Sequence, residues 1–221
     1  MRFSIPILIF LCLVSSSFAQ EKQANSELST TPIPIEALFT TEAVNLKMTI
    51  NKKIVAQSRW GFFSAVDLLN TYDNDKDKNE TMVLATVSYE LLKGVSIHGG
   101  MWTNNIIGTR PTIGLSHTLL GKDFVLVNMP RVDLIENHNI ENVLIFEYFP
   151  SLTENLHFYG RVQGLYNYDL NHKAHDRSYI DLRIGVTYKK VKMGIGANLD
   201  FYGPKATYKQ NIGVFIGTTL F

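Results

Sequence analysis

The sequence predicts an all-β fold, an antiparallel, up-and-down transmembrane β-barrel of about ten strands, with eight or twelve as the alternatives. Three observations carry the prediction. The chain opens on an export signal. From about Arg59 onward it runs in stretches of period-two alternation separated by turn residues. After the opening segment no apolar run reaches the length of a membrane-crossing helix, which leaves closed β-structure as the way to cross hydrocarbon with every backbone group paired.

Residues 1–19 read as a signal peptide. Arg2 supplies a positive start, Ile5 to Val14 an apolar core too short to span a bilayer, and Ser17-Phe18-Ala19 the small residues of a cleavage site after Ala19. Cys12, the only cysteine, falls in this segment, so the mature chain offers no disulfide, thiolate metal site or cysteine nucleophile. Residues 20–58 are polar and irregular at first, with Thr31-Pro32-Ile33-Pro34 inside them, and suit a periplasmic arm. Within that arm Val44, Leu46, Met48 and Ile50 alternate with Asn45, Lys47, Thr49 and Asn51, which leaves room for one extra strand at 43–51.

Residues 59–221 form the barrel domain. Strands are expected at about 59–72, 82–91, 95–103, 109–119, 123–134, 141–150, 155–168, 178–188, 191–202 and 207–221, each close to the length that a tilted strand needs to cross a bilayer. The connections at Leu92-Lys93-Gly94, Leu120-Gly121-Lys122, Pro150 to Asn155 and Lys189-Lys190 are short. Those at Asp73 to Thr81, Asn104 to Gly108, Glu136 to Ile140, Asp169 to Arg177 and Gly203 to Ala206 are mostly longer or more polar. Short periplasmic turns opposite longer external loops are the expected asymmetry.

Alternation alone does not say which face points inward. A soluble ligand-carrying barrel has an apolar interior, and a membrane barrel inverts it. On 191–202 one face is Val191, Met193, Ile195, Ala197, Leu199 and Phe201; the other is Lys192, Gly194, Gly196, Asn198, Asp200 and Tyr202. Glycine mixed with both signs of charge suits a crowded lumen. Trp60, Phe62, Tyr72, Tyr89, Trp102, Tyr148, Phe149, Phe201 and Tyr202 gather toward strand ends, as aromatic girdles do.

With its signal peptide, its run of hairpins and its terminal Phe221, the chain resembles the outer-membrane β-barrel proteins of Gram-negative bacteria. The likeness is architectural and covers nearly all of the mature chain. It implies outer-membrane localisation, contact with outer-membrane lipid, and insertion by the barrel-assembly machinery. The last strand departs from the pattern. Ile212, Val214, Ile216 and Leu220 lie on the parity opposite Phe221, and a bulge or a looser terminal signal would account for it.

Candidate lumen-lining residues are Arg59, Asp67, Glu90, His98, Arg110, Glu147, Arg161, Asp181, Arg183, Lys192, Asp200 and Lys209. Their mixed signs predict either an internal salt-bridge plug or a charged pore lining, since an unpaired charge in a narrow barrel is costly. His172, His175 and Asp176 in the loop 169–177 are a candidate rim site, for a metal or for acid–base work. Rim proteases of the omptin type place Asp and His there, and Asp73, Asp75, His175 and Asp176 supply those residue types. This chain is much shorter than an omptin and carries no omptin motif. Ser116 and His117 are adjacent and so face opposite sides of a strand. Ser178 follows the histidine loop with no feature that marks it as a nucleophile.

The chain carries 21 basic and 20 acidic side chains, a net charge of +1 that argues against nucleic acid as a partner. No sequence feature calls for a cofactor. The expected function is a non-enzymatic outer-membrane barrel, structural or a narrow polar channel. The alternatives are a barrel-rim hydrolase of protease or lipid A-modifying type and a soluble periplasmic ligand-binding barrel.

Overall fold

A computed structural model describes residues 31–55, 57–135 and 138–220. The expected signal peptide and Phe221 lie outside the described residues. Twelve strands follow one another: β1 (Ile33–Thr40), β2 (Ala43–Lys53), β3 (Trp60–Thr71), β4 (Glu80–Leu92), β5 (Val95–Asn104), β6 (Gly108–Leu120), β7 (Phe124–Asp133), β8 (Ile140–Tyr148), β9 (Leu156–Asp169), β10 (Ala174–Tyr188), β11 (Val191–Tyr202) and β12 (Thr207–Leu220). Each pairs antiparallel with its neighbours in sequence, and β1 pairs with β12 to close the barrel.

The ten strands expected from the sequence are β3 to β12. The other two correct the expected arm, because residues 33–53 are barrel wall. Residues 43–51 lie in β2, and β1 was missed altogether. The two prolines and Leu38 hid it. Proline donates no ladder hydrogen bond, and Pro34 is tolerated near the start of its strand. Leu38, on the otherwise polar side, spoils the alternation because it packs inward against Phe215 of β12.

On the last three strands and the seam, apolar side chains mostly face outward and charged or amide ones inward. Ile184, Ile195, Ile212, Val214 and Ile216 point out and are exposed, while Glu36, Asn45, Asp181, Arg183 and Asn198 point in and are buried. A soluble carrier has these faces reversed, so that alternative is excluded. The last strand has no bulge in its described part. Its pairing with β1 and β11 runs without a register shift, and the apolar residues of even number form the outer face.

Two aromatic belts flank this outer face. At the end of the barrel that carries Ile33 and Leu220, here the near end, Trp60 packs edge-on to Tyr89 at 5.0 Å and Tyr148 lies 6.2 Å from Phe158. At the far end Phe201 lies 5.3 Å from Tyr208, with Tyr166 exposed beside them. Trp102 and Tyr202, expected in the belts, instead face inward on β5 and β11.

Candidate functional site

The lumen is the obvious place for function, and side chains fill it in layers. At the far mouth, the Arg177 guanidinium on β10 meets Asp200 of neighbouring β11 at 2.8 Å and Glu80 of β4 at 3.1 Å. The Tyr202 hydroxyl donates to the same Glu80 at 2.7 Å, and Arg177 lies over the Tyr202 ring. Strands β10 and β4 stand opposite each other in the ring, so this contact crosses the bore.

One layer deeper, Lys47 of β2 reaches Asp67 on adjacent β3 at 3.0 Å and also contacts Asp181 on β10, across the lumen. Amides link this pair to the next cation. Asn45 donates to Asp67 at 2.5 Å and accepts from Asn198 at 3.1 Å. Arg183 donates to Asn198 at 2.9 Å and to Glu36 at 2.7 Å. Five strands are thereby tied into one network that leaves each buried ion with a partner, as a low-dielectric interior demands.

Below this lies an apolar stopper. Leu38, Tyr159 and Phe215 are 0%, 1% and 2% exposed, values that leave no water beside them. Arg183 lies over Phe215, and Lys192 over Tyr159 at 4.3 Å. Toward the near end the Tyr159 hydroxyl donates to Glu147 at 3.0 Å, with Arg161 3.7 Å from the same carboxylate.

The opposite wall is different in kind. Leu84, Trp102 and Met129 form a second buried cluster, with Phe63, Met82 and Val143 packed on it. Arg131 stands over the Trp102 ring at 5.0 Å and forks to Asp133 at 2.9 Å and Glu141 at 2.8 Å. Asn167 donates to Glu141 as well. The space left at the far mouth is a cavity of about 50 Å³ bordered by Lys47, Asp67, Glu80, Arg177, Asp181 and Asp200. It has room for a few waters.

Of the lumen candidates, Asp67, Glu147, Arg161, Asp181, Arg183, Lys192 and Asp200 face inward and take part in the contacts above. Arg110 is buried 3.9 Å from Asp133, and His98 is buried with Nε2 3.3 Å from the Leu115 carbonyl. Three candidates lie elsewhere. Arg59 is exposed in the β2–β3 connection. Glu90 pairs with Lys53 at the near rim, at 2.7 Å, and Lys209 is exposed at the far mouth over the Tyr202 ring.

The sequence reading passed over Glu36, Lys47, Glu80, Arg131, Asp133, Glu141 and Arg177. Lys47 had a visible signal, its inward parity with Asn45. Arg131 and Asp133 share their face with Val125, Val127 and Met129, an apolar stretch that forms part of the lumen wall.

The three rim candidates do not converge. His172 pairs with Asp169 at 2.8 Å, while the Asp176 carboxylate accepts from Asn139 at 2.8 Å. His175 bonds the Gly203 carbonyl through Nδ1 at 2.7 Å and the Ser178 hydroxyl through Nε2 at 3.0 Å. Among the described residues no group of three or more His, Cys, Asp or Glu is placed to hold a metal ion. In the β3–β4 loop Lys78 sits 3.2 Å from Asp75 and 3.9 Å from Asp73. The Thr71 hydroxyl, followed by the Asp75 amide, holds the Asp73 carboxyl below its ordinary pKa.

No family model matches the chain, and no curated protein matches it. Solved structures do. The NanC porin aligns over 86% of this chain and 99% of its own, with 16% identity and a TM-score of 0.50. The KdgM porin in complex with disordered oligogalacturonate aligns over 86% and 99%, with 12% identity and a TM-score of 0.48. What the chain shares with the NanC porin is the fold, a closed antiparallel β-barrel.

Proposed function

We propose that the chain is an integral outer-membrane protein whose barrel is a closed structural element, its lumen plugged by its own side chains and not built for steady conduction. The near end is then periplasmic and the far end external. The signal peptide is removed after Ala19, and the remainder is delivered to the bilayer by the barrel-assembly machinery. The exposed band of isoleucine, leucine and valine between two aromatic belts meets lipid.

The single observation that carries this reading is the filling of the bore. Arg177 and Glu80 join opposite walls at one level, and the fully buried Leu38, Tyr159 and Phe215 occupy another. A water-filled channel leaves lumen-facing atoms accessible.

Planar-bilayer recording tests it. The purified barrel should add no discrete steps to the background, and regular unitary steps from the wild type would overturn the proposal. A narrow polar channel is the second reading, favoured by the small charged cavity at the far mouth. It predicts those steps, with a selectivity that changes in Asp181→Asn.

A further inference from the structure

We propose that Ser178 and His175 form a nucleophile–base pair on the outer, lipid-facing wall of the barrel, and that it cleaves carboxylic esters of long-chain acyl lipids in the external leaflet. The proposal goes beyond the closed lumen and is independent of it, since a site on the outer wall needs no open bore.

A defect in the strand ladder assembles the pair. Three positions apart on a regular strand, His175 and Ser178 would face opposite sides. On β10 the pairing with β9 slips between His175 and Arg177: His175 sits opposite Tyr168, Arg177 opposite Asn167 and Ser178 opposite Tyr166. Asp176 is the extra residue of a β-bulge. Tyr168 and Tyr166 are both on the outer face of β9, so the bulge turns His175 and Ser178 to the same outer side and makes them neighbours. The Ser178 Oγ to His175 Nε2 distance is 3.0 Å, within reach for proton transfer.

The other ring nitrogen settles the tautomer. Nδ1 lies 2.7 Å from the Gly203 carbonyl oxygen, and a carbonyl only accepts, so Nδ1 carries the hydrogen. In the neutral ring Nε2 is then the acceptor and the Ser178 hydroxyl donates to it, the arrangement that a general base for serine requires. The ring also packs at a tilt of 45° against the Tyr166 ring, 5.6 Å between centroids. Ser151 and His157 also touch, at 3.1 Å. There the contact is through Nδ1, and that pair is exposed beyond the near-end belt.

The location selects the substrate. Tyr166 and Phe201 flank Ser178 on the paired strands, and Tyr208 packs on Phe201, so the pair lies in the far-end aromatic belt. At that level an amphiphile presents the bond between its apolar chain and polar head. Lys173 and Lys205 are exposed in the two adjoining loops and would meet an anionic head group. An uncharged carbonyl stabilises the imidazolium less than a carboxylate would. Esters, whose alkoxide leaves more readily than an amine, are therefore the matched class.

Chemically, Ser178 Oγ attacks the ester carbonyl carbon while Nε2 takes its proton. The tetrahedral adduct collapses by breaking the bond to the alcohol oxygen, which leaves with the proton returned from Nε2. Water then attacks the acyl-serine while Nε2 takes one of its protons; the adduct collapses by breaking the bond to Ser178 Oγ, which takes that proton back from Nε2, and the fatty acid is released.

The test uses the full barrel folded in vesicles of phosphatidylglycerol and phosphatidylcholine, with free fatty acid as the readout and a fluorophosphonate probe beside it. Fatty acid should be released, the probe should add to the Ser178 peptide, and both should be lost in Ser178→Ala and fall by on the order of 10³-fold in His175→Ala. Ser151→Ala should retain full activity. Heat-modified gel mobility shows that each variant is folded. Equal release by wild type and Ser178→Ala, or no adduct on Ser178 in folded wild type, overturns the pair as a catalyst. Turnover of a short water-soluble ester without release from vesicles overturns the lipid assignment.

Discussion

Arg177 on β10 and Glu80 on β4 form a 3.1 Å ion pair across the full width of the barrel, because those two strands stand opposite each other in the ring. One guanidinium thus fastens two walls that share no backbone hydrogen bonds. If this pair closes the external mouth, Arg177→Ala and Glu80→Ala should each lower the midpoint of chemical unfolding, with a loss of roughly 1.5–3 kcal/mol for a charge-assisted contact. Both should also admit small ions further into the lumen, read as added noise or brief openings in bilayer recordings. Unchanged stability in both variants would count against the closure.

Lys47 holds two carboxylates, Asp67 and Asp181, that would otherwise repel in the confined lumen. Lys47→Met should be among the most damaging single changes in the lumen, costing about 3–5 kcal/mol as expected for stripping a buried charge of its partner. Adding Asp67→Asn and Asp181→Asn should recover much of that loss. Urea unfolding in lipid vesicles measures both.

Arg131 forks between Asp133 and Glu141 and covers Trp102 with its flat face. Lysine keeps the charge but not the fork or the stacking. Arg131→Lys should therefore destabilise by roughly 1.5–3 kcal/mol and shift the Trp102 fluorescence. Full retention of both would mean that charge alone matters there.

On the outer wall, Ile195 and Val214 are cross-strand partners, 62% and 61% exposed, midway along their strands. Arginine at either should cost about 2–4 kcal/mol near the bilayer midplane, against about 0–1 kcal/mol at Tyr188 in the near-end belt. A depth profile of folding free energies checks this, and a flat profile would contradict membrane embedding of this face.

At Gly213 a side chain would run into the Phe39 carbonyl of the closing strand. Gly213→Val should weaken the β1–β12 seam by roughly 1–3 kcal/mol. The loss should appear first as faster hydrogen exchange in β1.

Much of the fold was legible because a barrel strand writes its two environments into alternate residues. Val191 to Tyr202 announced an apolar side and a charged side without help from any other strand. The reading failed where a residue's environment is set by a distant partner. β1 carries a proline, follows another and has an inward leucine, and its pairing with β12 and β2 is what makes it a strand. Val125, Val127 and Met129 form an apolar inner face, indistinguishable by pattern from a lipid-facing one. The rim was legible in part: His175 stood out in its polar loop, whereas Ser178 did not, because the bulge that brings the two together arises only from the pairing of β10 with β9.

The sequence by itself determined the class of fold, the ten strands from β3 onward and the polarity of the two faces in the last strands. All of these follow from the period-two geometry of a single chain segment. Tertiary structure alone decided the rest: twelve strands, a lumen crossed by Arg177 with Glu80 and filled at another level by Leu38, Tyr159 and Phe215, and a bulge at Asp176 that brings His175 to Ser178. Ion pairs across the bore depend on where the ring closes, and a bulge depends on how two strands share hydrogen bonds. Neither is a property of one segment.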